Sequence, residues 1–507
     1  MRSPFTNRSV AAVALVAAMG LAACSSSGSE QDSDQSVETD ATDADGDGDG
    51  DGDGGAGASD GADGDADTIV RPARYLFPDP PSAPEPTLEN ADASNAIDRI
   101  VAGINGGALD PTAVDDLTAA GDARHGWFVS DLLRFFQGDD SARLVESFET
   151  LTGVSIADDP ELQRSPWGSV TNHLIAWDTP DYDGYREDKG AIFKQLETAW
   201  APFFDDEDAD IDWRYLSWGG VFIDDRQLGD PNGCPGGCIP ALDDPATTDA
   251  VSGNWYPDDR TVFGIVVDGE ALAIPLNIAE IHEMFNLTLG ERRLAIPYCT
   301  LCGSAQAYFT DQADGSATEG ADEVPVVRTS GLLSRSNKVM YDLLSQSVFD
   351  TFTGEAVSGP LQDAGVVLDE TTVVRSTWSE WKRQHPDTQI IAEDGGIGRS
   401  YQLDPLGGRD DNGPIFPIGD FDQRLGVQDF VVGVLLDDGT ALAFPSEEAT
   451  AAFNRGDVVE LEGIELQQSG DGLRAIDSST GDAVAAHEAF WFAWSQFHPD
   501  TLLWERA

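Results

Sequence analysis

What most constrains this chain is that it echoes itself. Trp378 and Trp381 are followed by His385-Pro-Asp-Thr, and Trp491 and Trp494 by His498-Pro-Asp-Thr, with identical spacing. Each element lies downstream of another shared pattern. VFGIVVDGEALAIP (262–275) and VGVLLDDGTALAFP (432–445) both read as apolar strand, Asp-Gly, small alternating strand, Pro. Asp-Gly between β-rich runs signals a hairpin. Trp at i and i+3 shares one helical face, and Pro after His ends a helix. Two ordered echoes argue for internal duplication. The interval between hairpin and HPDT is shorter in the second copy, which also lacks any counterpart of YCTLCG (298–303). Chemistry, if present, therefore belongs to the first copy.

Upstream, the periodicity is helical. Ile97, Ile100, Val101 and Ile104 recur at i, i+3, i+4 and i+7, an amphipathic stripe. WFVSDLLRFF (127–136), SARLVESFETLTG (141–153) and IFKQLETAWAPFF (192–204) continue it, the second closing at Gly153. The predicted architecture is α+β: a helical N-terminal module over 69–237, then a β-rich body of two related, duplicated units, 238–395 and 396–507. His125 and His173, in the helical part, read as structural residues.

The N-terminus carries Arg2 and Arg8, a short apolar run from Ala11 to Leu21, and LAAC at 21–24. The run is too short for a comfortable membrane span. The ending resembles a bacterial lipobox, which implies a signal peptide over 1–23 and lipidation of Cys24. The expected location is the extracytoplasmic face of the cell membrane, held by lipid. Residues 24–68, rich in Ser, Asp and Gly, bury too little to offset chain entropy and are predicted to be a disordered acidic tether. No later segment is a long uninterrupted apolar run, so a multi-span membrane protein is excluded.

The formal net charge is −63, with only four lysines (Lys189, Lys194, Lys338 and Lys382). Such a chain repels nucleic acid and anionic headgroups. An acid-rich, Lys-poor surface fits a salty habitat, and compositional drift fits equally; neither names a substrate or a protein partner.

Apart from Cys24, four of the five cysteines lie in the body: Cys234, Cys238, Cys299 and Cys302. Cys299-Thr-Leu-Cys302-Gly admits three readings. As a metal knuckle its thiolates hold Zn or Cu, with His282 as third ligand and Glu283, His385, Cys234 or Cys238 behind it. As a redox pair it is a switchable disulfide. As structure it is a staple in a non-catalytic envelope binding or scaffolding protein, with Cys234 and Cys238 closing their own loop around PGG or the four body cysteines pairing crosswise, which spacing leaves open. Glu283 and Asn286 are placed with His282 on a predicted helix, where i and i+4 share a face, a set suited to a metal or a general base. Arg335, Asn337 and Lys338 form a rare basic and polar group suited to an anion, or to neutralising neighbouring acids. His385 and His498 are predicted to cap helix-end carbonyls. No P-loop, dinucleotide fingerprint or nucleophile elbow occurs in supporting context.

These segments together resemble domain-of-unknown-function family 3179. The resemblance runs through CIPALDDP (238–245), GEALAIPLNIAEIHEMFN (269–286), YCTLCGSAQAY (298–308), SGLLSRSNKVMYD (330–342), TGEAVSGPL (353–361) and both HPDT elements. It implies a fold unit and a site around the cysteines, and no reaction. The family pattern has Asp after Asn286 and Pro after the first cysteine, where this chain has Leu287 and Thr300.

Overall fold

The computed structural model describes residues 75–82, 91–230, 234, 236–311, 324–408 and 413–506. The expected signal peptide, the lipidation site Cys24 and the tether lie outside the described residues. No helix among the described residues is long and apolar enough to cross a membrane.

Seven helices open the described chain: α1 (Ala91–Asn105), α2 (Pro111–Ala119), α3 (Gly126–Leu133), α4 (Asp139–Thr152), α5 (Pro166–Ala176), α6 (Tyr185–Leu196) and α7 (Ala201–Asp205). Their ends follow from local chemistry. Asp110 caps α2 by accepting from the Thr112 and Ala113 N–H groups, with Pro111 in the first turn. Gly153, at φ 78°, closes α4 in the left-handed conformation. The apolar stripe over 192–204 is not one helix. α6 stops at Leu196, a 3-10 turn covers Thr198–Trp200, and α7 restarts with Pro202 in its first turn. Pro202 lacks the N–H a continuous helix needs there.

The rest is sheet-rich: five sheets set as blades of a propeller-like ring. The first orders strands Leu216–Trp218, Val327–Ser334, Asn337–Asp342 and Val348–Phe349. The helices pack on it, so Leu332, Val339, Tyr341 and Val348 share one core with Trp127, Phe148 and Trp200. Each such large apolar side chain contributes about 1.5–3 kcal/mol when fully buried. The second sheet orders Asp369–Thr371, Ala307–Phe309, Arg292–Cys299, Met284–Leu289 and Leu242–Asp243, with Ser304–Ala305 pairing the cysteine strand. Around the sheets lie α8 (Leu276–His282), α9 (Gly359–Asp363), α10 (Trp378–Gln384), α11 (Ser446–Arg455) and α12 (Trp491–Phe497).

The third and fourth sheets carry the two echoes. One orders Val374–Thr377, Thr261–Val267, Glu270–Pro275 and Gln389–Ile391, with Thr247–Asp249 at its far edge. The other orders His487–Phe490, Phe430–Leu435, Ala441–Pro445 and Leu502–Leu503. Both close with a parallel pair, Ile390 beside Ala273 and Leu503 beside Ala443. Gly264 pairs with Ala273, and Gly433 with Ala443. Beneath these glycines sit Trp381 and Trp494, whose indole N–H groups donate to Thr388 and Thr501 at 3.0 Å each. The Asp268-Gly269 turn has positive φ at both residues, as a tight hairpin requires, whereas the second hairpin reaches Gly439 through a longer loop.

The fifth sheet runs Glu460–Leu461, Ile464–Ser469, Gly472–Asp477 and Ala483–Val484. Its last turn matches one in the first sheet. Asp342 N–H donates to Ser347 and Gln346 N–H to Asp342; Asp477 N–H donates to Asp482 and Gly481 N–H to Asp477. Gln346 (φ 61°) and Gly481 (φ 79°) hold the same left-handed place. Among the described residues the second sheet, which bears Cys299, has no such match.

The HPDT histidines behave differently from expectation. Each is the residue after its helix, but the imidazole folds back over the helical Trp, with ring centroids 4.2 Å apart for Trp381–His385 and 4.3 Å for Trp494–His498. Their Nε2 atoms meet no partner among the described residues, so tilted ring packing replaces the predicted carbonyl capping.

Candidate functional site

Cys299 ends its strand and Cys302 lies in the following turn, closed by the Cys302 N–H donating to the Cys299 carbonyl and by Gly303 at φ 60°. A Cβ at residue 303 would come within 3.0 Å of Phe430 and Phe490, so glycine also lets this turn press against the fourth sheet. The Phe490 N–H donates to the Cys302 carbonyl at 2.8 Å. Both sulfurs are reduced, with Cys299 1% and Cys302 0% exposed, and they share a core with Trp491 and Trp494.

The two thiols are unequal. Burial pushes the Cys299 thiol up, but a hydrogen bond from Cys302, the Lys338 backbone N–H and the Lys338 ammonium, working against Glu283, bring it below its ordinary value. Burial pushes Cys302 well above its ordinary value and neighbouring Cys299 adds to that. The Cys302 thiol also donates to the Ser336 carbonyl at 3.5 Å.

Lys338 is 5% exposed. It donates to the Glu283 and Tyr298 carbonyls and pairs with the Glu283 carboxylate at 3.4 Å. Glu283 also accepts from the Thr300 hydroxyl at 2.8 Å, so the threonine in the family's proline position tethers the turn to this carboxylate. Ser304, Ser336 and Asn337 are each at most 1% exposed and carry a side-chain oxygen with no partner among the described residues. Ser304 stands opposite Cys299 in the ladder, and Ser336 supplies the carbonyl that meets the Cys302 thiol.

The expected four-ligand set does not converge. His282 is the last residue of α8, Glu283 turns left-handed at φ 50°, and Asn286 lies on a strand, so no shared helical face exists. That reversal sends the side chains apart. His282 Nδ1 meets the Pro240 carbonyl and Nε2 the Tyr401 hydroxyl, both at 2.7 Å. Burial pushes its pKa down to about 4. Among the described residues the one close triad of metal-type ligands is Asp224, Cys234 and Cys238. That triad does not fit an ion. Cys234 and Cys238 form a disulfide, and Asp224 pairs with Arg226 at 2.7 Å and lies 3.8 Å from Arg328 while accepting from the Ala241 N–H. Arg328 completes the network through Asp243 at 2.7 Å.

The basic group also divides. Lys338 joins the cysteines, whereas Arg335 stacks over Tyr215, 3.9 Å from the ring centroid. Sequence reading found Lys338 but not its partner, because Lys338 and Glu283 meet only across two sheets. His173 uses Nδ1 on the Ser169 carbonyl, and His125 packs edge-on to Tyr182, both inside the helical core.

The family described as "Protein of unknown function (DUF3179)" matches residues 236–479. The match spans the cysteine turn and the first HPDT element and ends before the second. No curated protein and no solved structure matches the chain.

Proposed function

In a chain whose residues 236–479 belong to the DUF3179 family, we propose that Cys299 and Cys302 form a reversible thiol–disulfide centre in the first of two related units. The observation that carries this reading is the pair itself: two free, buried thiols at one turn, joined by the Cys302 N–H donating to the Cys299 carbonyl, with the Lys338 ammonium donating to the adjacent Tyr298 carbonyl. Lys338 favours the Cys299 thiolate, the attacking species. Cys302 retains its proton until needed. Cys299 sulfur attacks a disulfide of a low-molecular-weight or protein partner, expelling one partner thiolate. Cys302, losing its proton to that thiolate, attacks the Cys299 sulfur and expels the second. One partner thiol, a second thiolate that takes from water the proton Cys299 had released, and one internal disulfide result.

The test equilibrates the full chain in glutathione buffers, quenches with acid, then alkylates after denaturation and counts labels by mass. A reversible two-thiol transition supports the centre, with Cys302→Ser halting at a glutathione adduct on Cys299. Thiols that stay reduced across the whole buffer range refute it.

A second reading rests on the same pair of thiols. Two soft sulfurs without a converging third ligand suit two-coordinate copper(I) better than zinc, which takes four. One copper per chain, lost in Cys299→Ser, would favour it over redox exchange. The matched strand orders support relating units 238–395 and 396–507 by duplication, with the cysteine-bearing sheet particular to the first. The lipobox-like LAAC supports a lipid anchor at Cys24 on the extracytoplasmic face, which Cys24→Ala would release from the membrane fraction.

A further inference from the structure

A cavity of about 430 Å³ lies where the third, fourth and fifth sheets meet α11. Its walls carry Arg375 and three acids, Glu447, Asp471 and Glu488, with Thr450 and Asn454 beside them; Asp471 is already held by the Ser376 and Thr377 hydroxyls and the Thr377 N–H. Arg375 and Glu488 occupy the same place in the two related sheets. Arg375 follows the residue paired with Gly264, and Glu488 the residue paired with Gly433. Each stands three residues before the first Trp of its element. The echo thus sets a cation and a carboxyl on the wall of one cavity.

They form no direct ion pair with each other. Among the described residues Arg375 makes no ion pair and no side-chain hydrogen bond; its guanidinium lies over the Phe430 ring, 4.5 Å from the centroid. Glu488 accepts from the Ser446 hydroxyl at 2.6 Å. Burial pushes its carboxyl up while Arg375 pulls the other way. An unpaired guanidinium is a fork for a carboxylate, and a carboxyl on the same wall is a seat for an ammonium. A plain anion is disfavoured by a chain of net charge −63, whereas a ligand of zero net charge escapes that field. The volume suits a small metabolite.

We propose that this cavity binds a small zwitterion of the α-amino acid class, its carboxylate on Arg375 and its ammonium on Glu488. The polar wall of Thr450 and Asn454 would meet the side chain. The site is independent of the dithiol.

The test is calorimetric titration of the full chain with each of the twenty proteinogenic amino acids, and with acetate and methylamine as half-ligands. At least one amino acid should bind, with both half-ligands weaker by at least about tenfold. Arg375→Gln and Glu488→Gln should each weaken binding by at least about tenfold without changing the far-ultraviolet circular dichroism. No heat from any amino acid at about 10 mM, or acetate binding as well as the zwitterion, overturns the proposal. So does a folded Arg375→Gln that binds normally. If a variant fails to fold, the half-ligand comparison on the unaltered chain decides.

Discussion

Replacing Gly264 by alanine is a sharp test of the packing beneath the hairpins. In an ordinary strand this change is favourable by roughly 0.5–1 kcal/mol, because glycine has more freedom to lose. Gly264 has no left-handed backbone to protect, so only space opposes the methyl group. The added Cβ would sit 2.4 Å from two Trp381 ring carbons, and the ring must retreat by about 1 Å to reach ordinary contact. Trp381 is 1% exposed, donates to Thr388 at 3.0 Å and packs on His385 at 4.2 Å. Overpacking costs about 1–3 kcal/mol and a lost hydrogen bond about 1 kcal/mol; less the roughly 0.5–1 kcal/mol gain in the strand, Gly264→Ala should destabilise by roughly 1–3.5 kcal/mol. Urea denaturation followed by tryptophan fluorescence and circular dichroism measures it. In a Trp381→Leu background the penalty should fall below about 0.5 kcal/mol, because the obstacle is gone. A single variant indistinguishable from the parent, or an equal penalty in both backgrounds, would refute the reasoning. Gly433→Ala, whose Cβ would lie 2.1 Å from Trp494, should behave alike.

Other outcomes follow from the same structure. Glu283→Gln should move the pH midpoint of Cys299 alkylation downward, since the carboxylate that opposes the thiolate is gone while the Lys338 ammonium stays. His282 and His498 are both held at about pKa 4 by burial, below the ordinary 6.5. Their contribution is complete above pH 6.5 and is lost as pH falls through 4, to a total of about 3 kcal/mol each. His498→Asn should flatten the stability slope in that window relative to the parent, and an unchanged slope would count against the assignment. Removing the Cys234–Cys238 disulfide by a double Ser substitution should lower stability by about 2 kcal/mol, the loop being short. Alkylation of the denatured, unreduced body should label Cys299 and Cys302 only.

Much of the architecture was legible because it rests on local pattern. The Ile97–Ile104 stripe became α1, Gly153 closed α4, and the paired Trp residues formed buried faces of α10 and α12. The site was less legible, for a physical reason. His282 and Glu283 are adjacent in sequence, but a left-handed residue after α8 turns them toward different partners. No periodicity announces such a reversal in a glutamate. The salt bridge between Lys338 and Glu283 and the bond from Phe490 to Cys302 join distant strands, which spacing along the chain does not encode. The fifth sheet's correspondence to the first was also hidden, because shared turn geometry places Gln346 where Gly481 stands. Arg375 and Glu488 were within reach: aligning the two Trp elements puts opposite charges at one position.

The bond between Phe490 and Cys302 has a mechanical consequence. Neither sulfur meets solvent while that strand stays seated, so a reagent reaches them only when the fourth blade lifts away. The speed of thiol labelling in the native protein is then a clock for that breathing motion. Loosening the contact at Phe490 should make the clock run faster while leaving the sulfurs' own chemistry alone.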